Sequence, residues 1–254
     1  MSGRIHVSRP RKAVVLLEID NPPSNALGGE VRRQLEAELD AIETDLSVRA
    51  VVLTGRGKGF CSGDDLREAA TRGEGAQASL GQFGRMLDKL EALRVPVVGA
   101  INGHAVGGGL ELALCCDIRL ASSEAKFLAA GVNVGLMASV HRLPRLIGTA
   151  AASMMILTGT PFDSARAAAW GLAGGVYPPD QLAGAALDLA ERIATRAPLS
   201  VEASKRMIRR AFDFTPEEAR AAAGAELRVL SRSNDHREGV AAFADRRDPV
   251  FTRS

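Results

Sequence analysis

With 254 residues, of which 46% are hydrophobic and 24% charged, the chain is long enough to bury a sizeable core as one domain with elaborations. Its 32 basic and 30 acidic residues are interspersed and leave a formal charge of +2, so nothing resembles the concentrated basic face that holds a nucleic acid. The apolar run Ala13 to Leu17 meets Glu18 at once, too short for a signal peptide or a membrane span, and Cys61, Cys115 and Cys116 form an odd set without paired spacing. A cytoplasmic protein is expected, with neither membrane nor nucleic acid as partner.

Val14 to Ile19 reads as a buried strand ended by the Asn21-Pro22-Pro23 turn, after which Val31, Leu35, Leu39, Ile42 and Leu46 recur at helical spacing. Ala50 to Thr54 predicts another buried strand. Leu80, Phe83, Leu87 and Leu90 mark a further helix, and Val95 to Ile101 a further strand. Between them Arg72 to Gln82, with Gly73, Gly75 and Gly81 among small and polar residues, is expected to form a mobile loop. Asp117 to Ala121 is strand-like, and from Ala150 onward the pattern becomes almost wholly helical and rich in Ala. This alternation predicts an α/β core with a helical C-terminal part.

Two glycine-rich stretches follow buried strands. In Gly55-Arg56-Gly57-Lys58-Gly59-Phe60-Cys61-Ser62-Gly63-Asp64-Asp65-Leu66, the glycines let the backbone approach a ligand, and a strand-to-turn junction leaves amides that no ladder satisfies. In Ile101-Asn102-Gly103-His104-Ala105-Val106-Gly107-Gly108-Gly109-Leu110-Glu111-Leu112, a strand runs through glycines into an apolar stretch of helical length, so its amides sit at a helix N-terminus that favours negative charge. Dinucleotide and nucleotide triphosphate motifs are excluded: the third glycine of G-x-G-x-x-G falls at Leu112, and no G-x-x-x-x-G-K-[ST] occurs. Glu111 lies within the apolar run Leu110 to Cys116, where an unpaired carboxylate is expensive. It is either satisfied by an Arg or a backbone amide, or held in an apolar cleft and suited to general acid/base work. No metal-ligand spacing links the four histidines.

Together these segments resemble the enoyl-CoA hydratase/isomerase (crotonase) superfamily over nearly the whole chain. Asn21-Pro22-Pro23-Ser24-Asn25-Ala26-Leu27 is similar to its N-P-x-x-x-N-A-L turn, and Phe60-Cys61-Ser62-Gly63-Asp64-Asp65-Leu66 to its F-x-[AS]-G-x-D-L motif. Ala100 to Ala113 resembles its second signature, with Cys116-Asp117-Ile118 and Phe127 following in register, and Glu238-Gly239, Phe243, Arg246 and Phe251 its closing motif.

The resemblance implies a spiral of βαβ units over residues 1–195 and a helical trimerisation region over 196–254, with trimers or dimers of trimers. It implies an acyl-CoA thioester as substrate, a lyase or isomerase activity, and no cofactor, coenzyme A entering with the substrate. The backbone N–H groups of Asp64 and Gly108 would hold the thioester oxygen, and Glu111 would be the first of two catalytic glutamates. Ala26, Ser62, Asp65, Leu66, Gly107, Gly131, Ser139 and Phe251 would border the substrate, with Ser62, Asp65 and Leu66 around the adenine and Arg246 near the phosphates.

One departure stands out. The family's second glutamate falls, in register from Phe127, at Gly131, and the Asp that other members carry eight residues on falls at Ser139. Glu111 is the one aligned catalytic acid, and a glutamate restored at Gly131 is expected to face it. A decarboxylase, a thioester hydrolase or a non-catalytic acyl-CoA-binding protein are the alternatives; a protease is disfavoured because no G-x-S-x-G elbow occurs.

Overall fold

The computed structural model describes residues 3–71, 73 and 76–254. It opens on an antiparallel pair, β1 (Arg4–Arg11) and β2 (Val14–Asp20). β1 is largely exposed, so no apolar run announces it in the sequence. Helix α1 (Gly29–Thr44) buries Val31, Leu35, Leu39 and Ile42 as their spacing predicts. It stops before Leu46, which is exposed, because the Asp45 carboxylate accepts from the Ser47 amide and hydroxyl and turns the chain toward β3 (Ala50–Gly55).

Next come α2 (Leu66–Thr71), α3 (Ala76–Ala92) and β4 (Val97–Ile101). α3 already begins at Ala76, so the loop expected over 72–82 is helical from there on, while residues 72, 74 and 75 lie outside the described residues. Gly81 and Gly84 sit inside that helix, which tertiary packing of Met86, Leu87 and Leu90 holds against their low propensity. Then follow β5 (His104–Val106), α4 (Gly108–Cys115), β6 (Ile118–Ser122), β7 (Lys126–Leu128), a 3-10 helix (Ala130–Val134), α5 (Arg142–Thr158), β8 (Phe162–Asp163), α6 (Ser164–Ala169) and β9 (Gly175–Tyr177). Four helices close the chain: α7 (Pro179–Ala194), α8 (Pro198–Arg209), α9 (Pro216–Leu230) and α10 (Asn234–Asp245). The helical reading from Ala150 therefore misses β8 and β9, two and three residues long, too short to show a period.

The main sheet has the order β1-β2-β3-β4-β6-β9, and every pair from β2 onward is parallel; β5-β7-β8 form a second, small sheet. Alternation along the strands separates two cores. Val51 and Leu53 face α1 and α3, whereas Ala50, Val52, Val98 and Ala100 face α7, whose Leu182, Ala186, Ala190 and Ala194 recur every four residues. Small alanines let α7 lie close against β3, β4 and β6. Because β3 and β4 are neighbours and parallel, their C-terminal ends release the two glycine-rich segments at the same edge of the sheet.

The C-terminal helices are fastened to the opposite edge. Lys205 of α8 reaches Asp117 (2.7 Å) and the Val95 carbonyl (2.9 Å) just before β4. Arg94 donates to Glu202 at 2.6 Å and to the carbonyls of Asp45 and Val48, and Glu202 also accepts from Arg253 at 2.9 Å. Glu202 is 4% exposed, so its removal takes the carboxylate from both the Arg94 and Arg253 guanidinium groups. Glu202→Ala is expected to destabilise by about 3–5 kcal/mol. Thermal unfolding should show Tm lower by roughly 10 °C; an unchanged Tm would mean the network does not dock α8.

Candidate active site

Two asparagines hold the first glycine-rich segment. Asn25, 3% exposed with φ 56°, donates to the carbonyls of Arg56 (2.9 Å) and Gly59 (2.8 Å), and accepts from the Asn21 amide at 3.0 Å. Asn102 accepts from the Gly55 amide at 3.2 Å and donates to the Gly57 carbonyl at 2.9 Å. The first segment is thus folded from both sides. It is then stitched to its neighbours by backbone bonds: Cys61 N–H to the His104 carbonyl (2.9 Å), Val106 N–H to the Cys61 carbonyl (3.0 Å) and Leu27 N–H to the Gly63 carbonyl (2.7 Å).

The two segments approach until no Cβ fits between them. A Cβ on Gly63, where φ is +87°, would stand 2.6 Å from the Gly108 nitrogen and 2.7 Å from the Val106 oxygen. One on Gly109 would stand 2.0 Å from the Cys61 oxygen, and one on Gly103 2.0 Å from the Lys58 oxygen. Gly63 therefore lies directly against Gly108, which brings the peptide that carries the Asp64 N–H beside the peptide that carries the Gly108 N–H. Gly107, with φ 50° and ψ −113°, turns the chain into α4, its own N–H donating to the Leu128 carbonyl at 2.9 Å. Gly108 is the first residue of α4, so its N–H is one that a helix leaves without an intrahelical acceptor. Asp64, Gly107 and Gly108 remain partly open to solvent while Cys61, Gly63, Ala105 and Gly109 around them are buried.

Glu111 follows Gly108 by three residues on α4, hence on the same face, and is 9% exposed. It is not isolated in an apolar cleft. Arg142 at the start of α5 stands 3.5 Å from its carboxylate and also pairs with Glu91 and Asp88, each at 2.8 Å. An arginine at the carboxylate accounts for its burial, and the same contact leaves acid/base work open to it. Burial pushes the thiols of Cys61 and Cys116 up to about 12, which leaves them protonated and poor nucleophiles at neutral pH. Among the described residues no group of His, Cys, Asp and Glu is arranged to hold a metal ion.

The remaining residues divide. Ser62 meets Ser24 through their hydroxyls at 2.9 Å, Ala26 accepts from the Asn21 side chain at 2.7 Å, and Leu66 is exposed beside them. The Asp65 carboxylate accepts from the Arg67 amide at 2.9 Å, so it caps α2. Ser139 is 4% exposed, has φ 61°, and its hydroxyl finds no partner among the described residues. Arg246 and Phe251 are not brought to the hole: Arg246 is the exposed cap of α10, and the Phe251 carbonyl accepts from Arg49, before β3, at the far end of the sheet. Sequence reading missed Arg32 and Arg142 and took Phe83 only as a helix position, since their partners lie too far along the chain for a local pattern to show.

A model of the enoyl-CoA hydratase/isomerase family matches residues 9–254. The chain belongs to that family. It is 33% identical over 249 residues to the 2,3-dehydroadipyl-CoA hydratase of Escherichia coli, covering 96% of this chain and 97% of that one. It is 37% identical over 243 residues to the (E)-benzylidenesuccinyl-CoA hydratase of Thauera aromatica, covering 94% and 95%. An enoyl-CoA hydratase from Bacillus anthracis superposes with a TM-score of 0.96 at 30% identity, over 98% of this chain and 99% of that one. The fold is therefore the crotonase fold, and the protein is a crotonase-type enzyme, of the lyase or isomerase kind, acting on acyl-CoA thioesters. These relatives lend no support to the decarboxylase, thioester-hydrolase or non-catalytic alternatives.

The expectation for Gly131 needs correction. It lies in the 3-10 helix, and the chain folds back on it: a Cβ there would stand 2.9 Å from the Leu136 oxygen and 3.0 Å from the Ala138 nitrogen, with the Leu136 amide already bonded to the Gly131 carbonyl at 2.8 Å. A glutamate cannot be added without moving that backbone. Gly131→Ala should destabilise by about 1–3 kcal/mol through overpacking, and Gly131→Glu should lower Tm further without raising hydration of crotonyl-CoA. A gain in hydration at unchanged Tm would show that the 135–139 segment yields freely.

Proposed function

We propose that the protein seats the thioester oxygen of an enoyl- or acyl-CoA between the N–H groups of Asp64 and Gly108 and uses Glu111 as its acid/base group. The observation that carries this reading is the contact of Gly63 with Gly108, which sets two peptide N–H groups side by side at the head of α4. When a proton leaves the α-carbon, or a nucleophile adds at the β-carbon, negative charge develops on the thioester oxygen, and two fixed donors stabilise it in that state. Removal of one such donor typically lowers the rate about 10²–10³-fold.

Without a carboxylate at Gly131 or Ser139, a single group handles the proton. Glu111 takes it from water as the hydroxyl adds to the β-carbon and returns it to the α-carbon, so that one molecule of water is added in full. Arg142, 3.5 Å away, holds that carboxylate in place at the head of α5. Ala26, Ser62, Leu66 and the Asp65-capped start of α2 border the coenzyme A moiety, and Gly107 and Ser139 the acyl side. No separate cofactor is invoked. Residence in the cytoplasm belongs to the same proposal, supported by three cysteines that are free and buried.

The assembly is a trimer, alone or paired. In support, α8 to α10 expose Phe212, Leu227, Val229, Val240 and Phe243, and a cavity of about 1260 Å³ opens between α8, α9 and the core. Arg246 and Phe251, remote from their own chain's hole, then reach the coenzyme of a neighbour. Sedimentation equilibrium at micromolar concentration should return three or six chains per particle; a monomer would contradict the assembly.

Calorimetry tests the ligand. Crotonyl-CoA should bind and crotonate should not, since contacts with the nucleotide supply affinity remote from the reacting carbon. In D₂O the enzyme should exchange the α-protons of butyryl-CoA, and Glu111→Gln should slow that exchange by roughly 10²–10⁴. Equal affinity for thioester and free acid, or exchange indifferent to Glu111, would sink the reading.

A further inference from the structure

Arg32 is 2% exposed on an otherwise apolar face of α1, between the core residues Val31 and Leu35. A guanidinium in such a place is expensive unless its partners are well arranged, and a buried ion pair is often no more stable than apolar residues of the same volume. Its partners here converge on the proposed oxyanion hole. It pairs with the Asp64 carboxylate, on the residue whose own N–H is the first donor. Its guanidinium carbon lies 4.7 Å from the centre of the Phe83 ring, and it donates to the Ser79 hydroxyl at 3.2 Å, both on α3. The Phe83 ring in turn packs on Gly108, the second donor: a Cβ there would stand 2.8 Å from its Cζ.

An acidic side chain at position 64 is a liability for the chemistry. The donor N–H and the carboxylate share one residue, so a full negative charge sits within a few ångströms of the oxygen where enolate charge develops. The Asp64 side chain is 24% exposed, which leaves solvent only a partial share in screening it. We propose that Arg32 is a positioning residue of the oxyanion hole, neutralising the Asp64 carboxylate and, through Phe83, fixing the Gly108 amide against the Asp64 amide. This deepens the reading of the site given above and rests on it.

Electrostatic positioning and plain structural support make opposite predictions for the two partners. If Arg32 only props up the fold, removing either partner harms the site alike. If it offsets the Asp64 charge, Arg32→Leu takes one positive charge from beside the hole and Asp64→Asn takes one negative charge from it, with opposite effects on an enolate.

The test uses the full-length enzyme and p-dimethylaminocinnamoyl-CoA, a thioester whose absorption moves to the red as its carbonyl is polarised, together with α-proton exchange of butyryl-CoA in D₂O. Arg32→Leu should bind the probe but redden it less than the parent, with kcat for exchange lower by roughly 10–10² and KM little changed. Asp64→Asn should lose thermal stability yet redden the probe more than the parent. The double variant should regain most of the shift and rate that Arg32→Leu loses. A double variant no better than Arg32→Leu, or an Asp64→Asn that loses red shift, would overturn the proposal. If Arg32→Leu does not fold, the sign of the Asp64→Asn shift decides alone. A parent enzyme that binds the probe with no red shift would instead remove the oxyanion hole itself, and this proposal with it.

Discussion

The site depends on the exclusion of Cβ atoms from one small volume. Gly63 lies on Gly108, Gly109 on the Cys61 carbonyl and Gly103 on the Lys58 carbonyl, each at a separation that any side chain would forbid. This closeness fixes the direction of two peptide planes at once. Neither turn could hold its amide alone, since a loop residue samples many orientations; pressed together and stitched by the bonds between Cys61 and its partners His104 and Val106, they have one. Donors fixed before the substrate arrives need no reorganisation when charge develops, which is where such groups gain their effect over water.

The parallel neighbours β3 and β4 make the approach possible. Their register, Val51 opposite Val97 through Thr54 opposite Ala100, delivers both chains to the sheet edge at the same height. Asn102 then bonds across to Gly55 and Gly57, so the end of one strand shapes the turn after the other. The site is in this sense a continuation of the sheet. The acid/base group proposed for it follows from the same geometry, because Glu111 stands one helical turn beyond Gly108 with Arg142 at its carboxylate.

Much of this was legible in sequence, for definable reasons. β2, β3 and β4 are buried apolar runs, α1 carries a clear 3.6-residue period, and the glycine clusters follow strands, so each announces itself locally. β1 faces solvent and β5, β7, β8 and β9 are two or three residues long, which leaves no pattern to read. Alternative readings of Glu111 stayed open because its partner Arg142 is 31 residues away and only the packing of α5 on α4 unites them. Arg32 is hidden for a similar reason: one charged residue beside the apolar face of α1 reads as a solvated flank, and only the packing of Asp64 and Phe83 on it shows that it lies in the interior. The steric closure over Gly131 depends on the path of residues 135–139, which composition does not fix.

The sheet's two edges thus have separate tasks. At the C-terminal ends of β3 and β4 the backbone is glycine-rich, partly open and aimed at a ligand. At their N-terminal ends it is closed by long charged side chains: Arg49 to the carbonyls of Ala194 and Phe251, Lys205 to Asp117, Arg94 to Glu202. Each of these ties a C-terminal element to a strand entrance. A helical region held so firmly at one edge cannot also close over the other edge of its own chain, and its exposed Phe243 and Leu227 point the apolar surface outward. In the trimer proposed above another copy covers that surface, and the same rotation brings Arg246 toward a neighbour's hole. Assembly and coenzyme binding are in that case a single constraint on the C-terminal helices, imposed by where the strands begin.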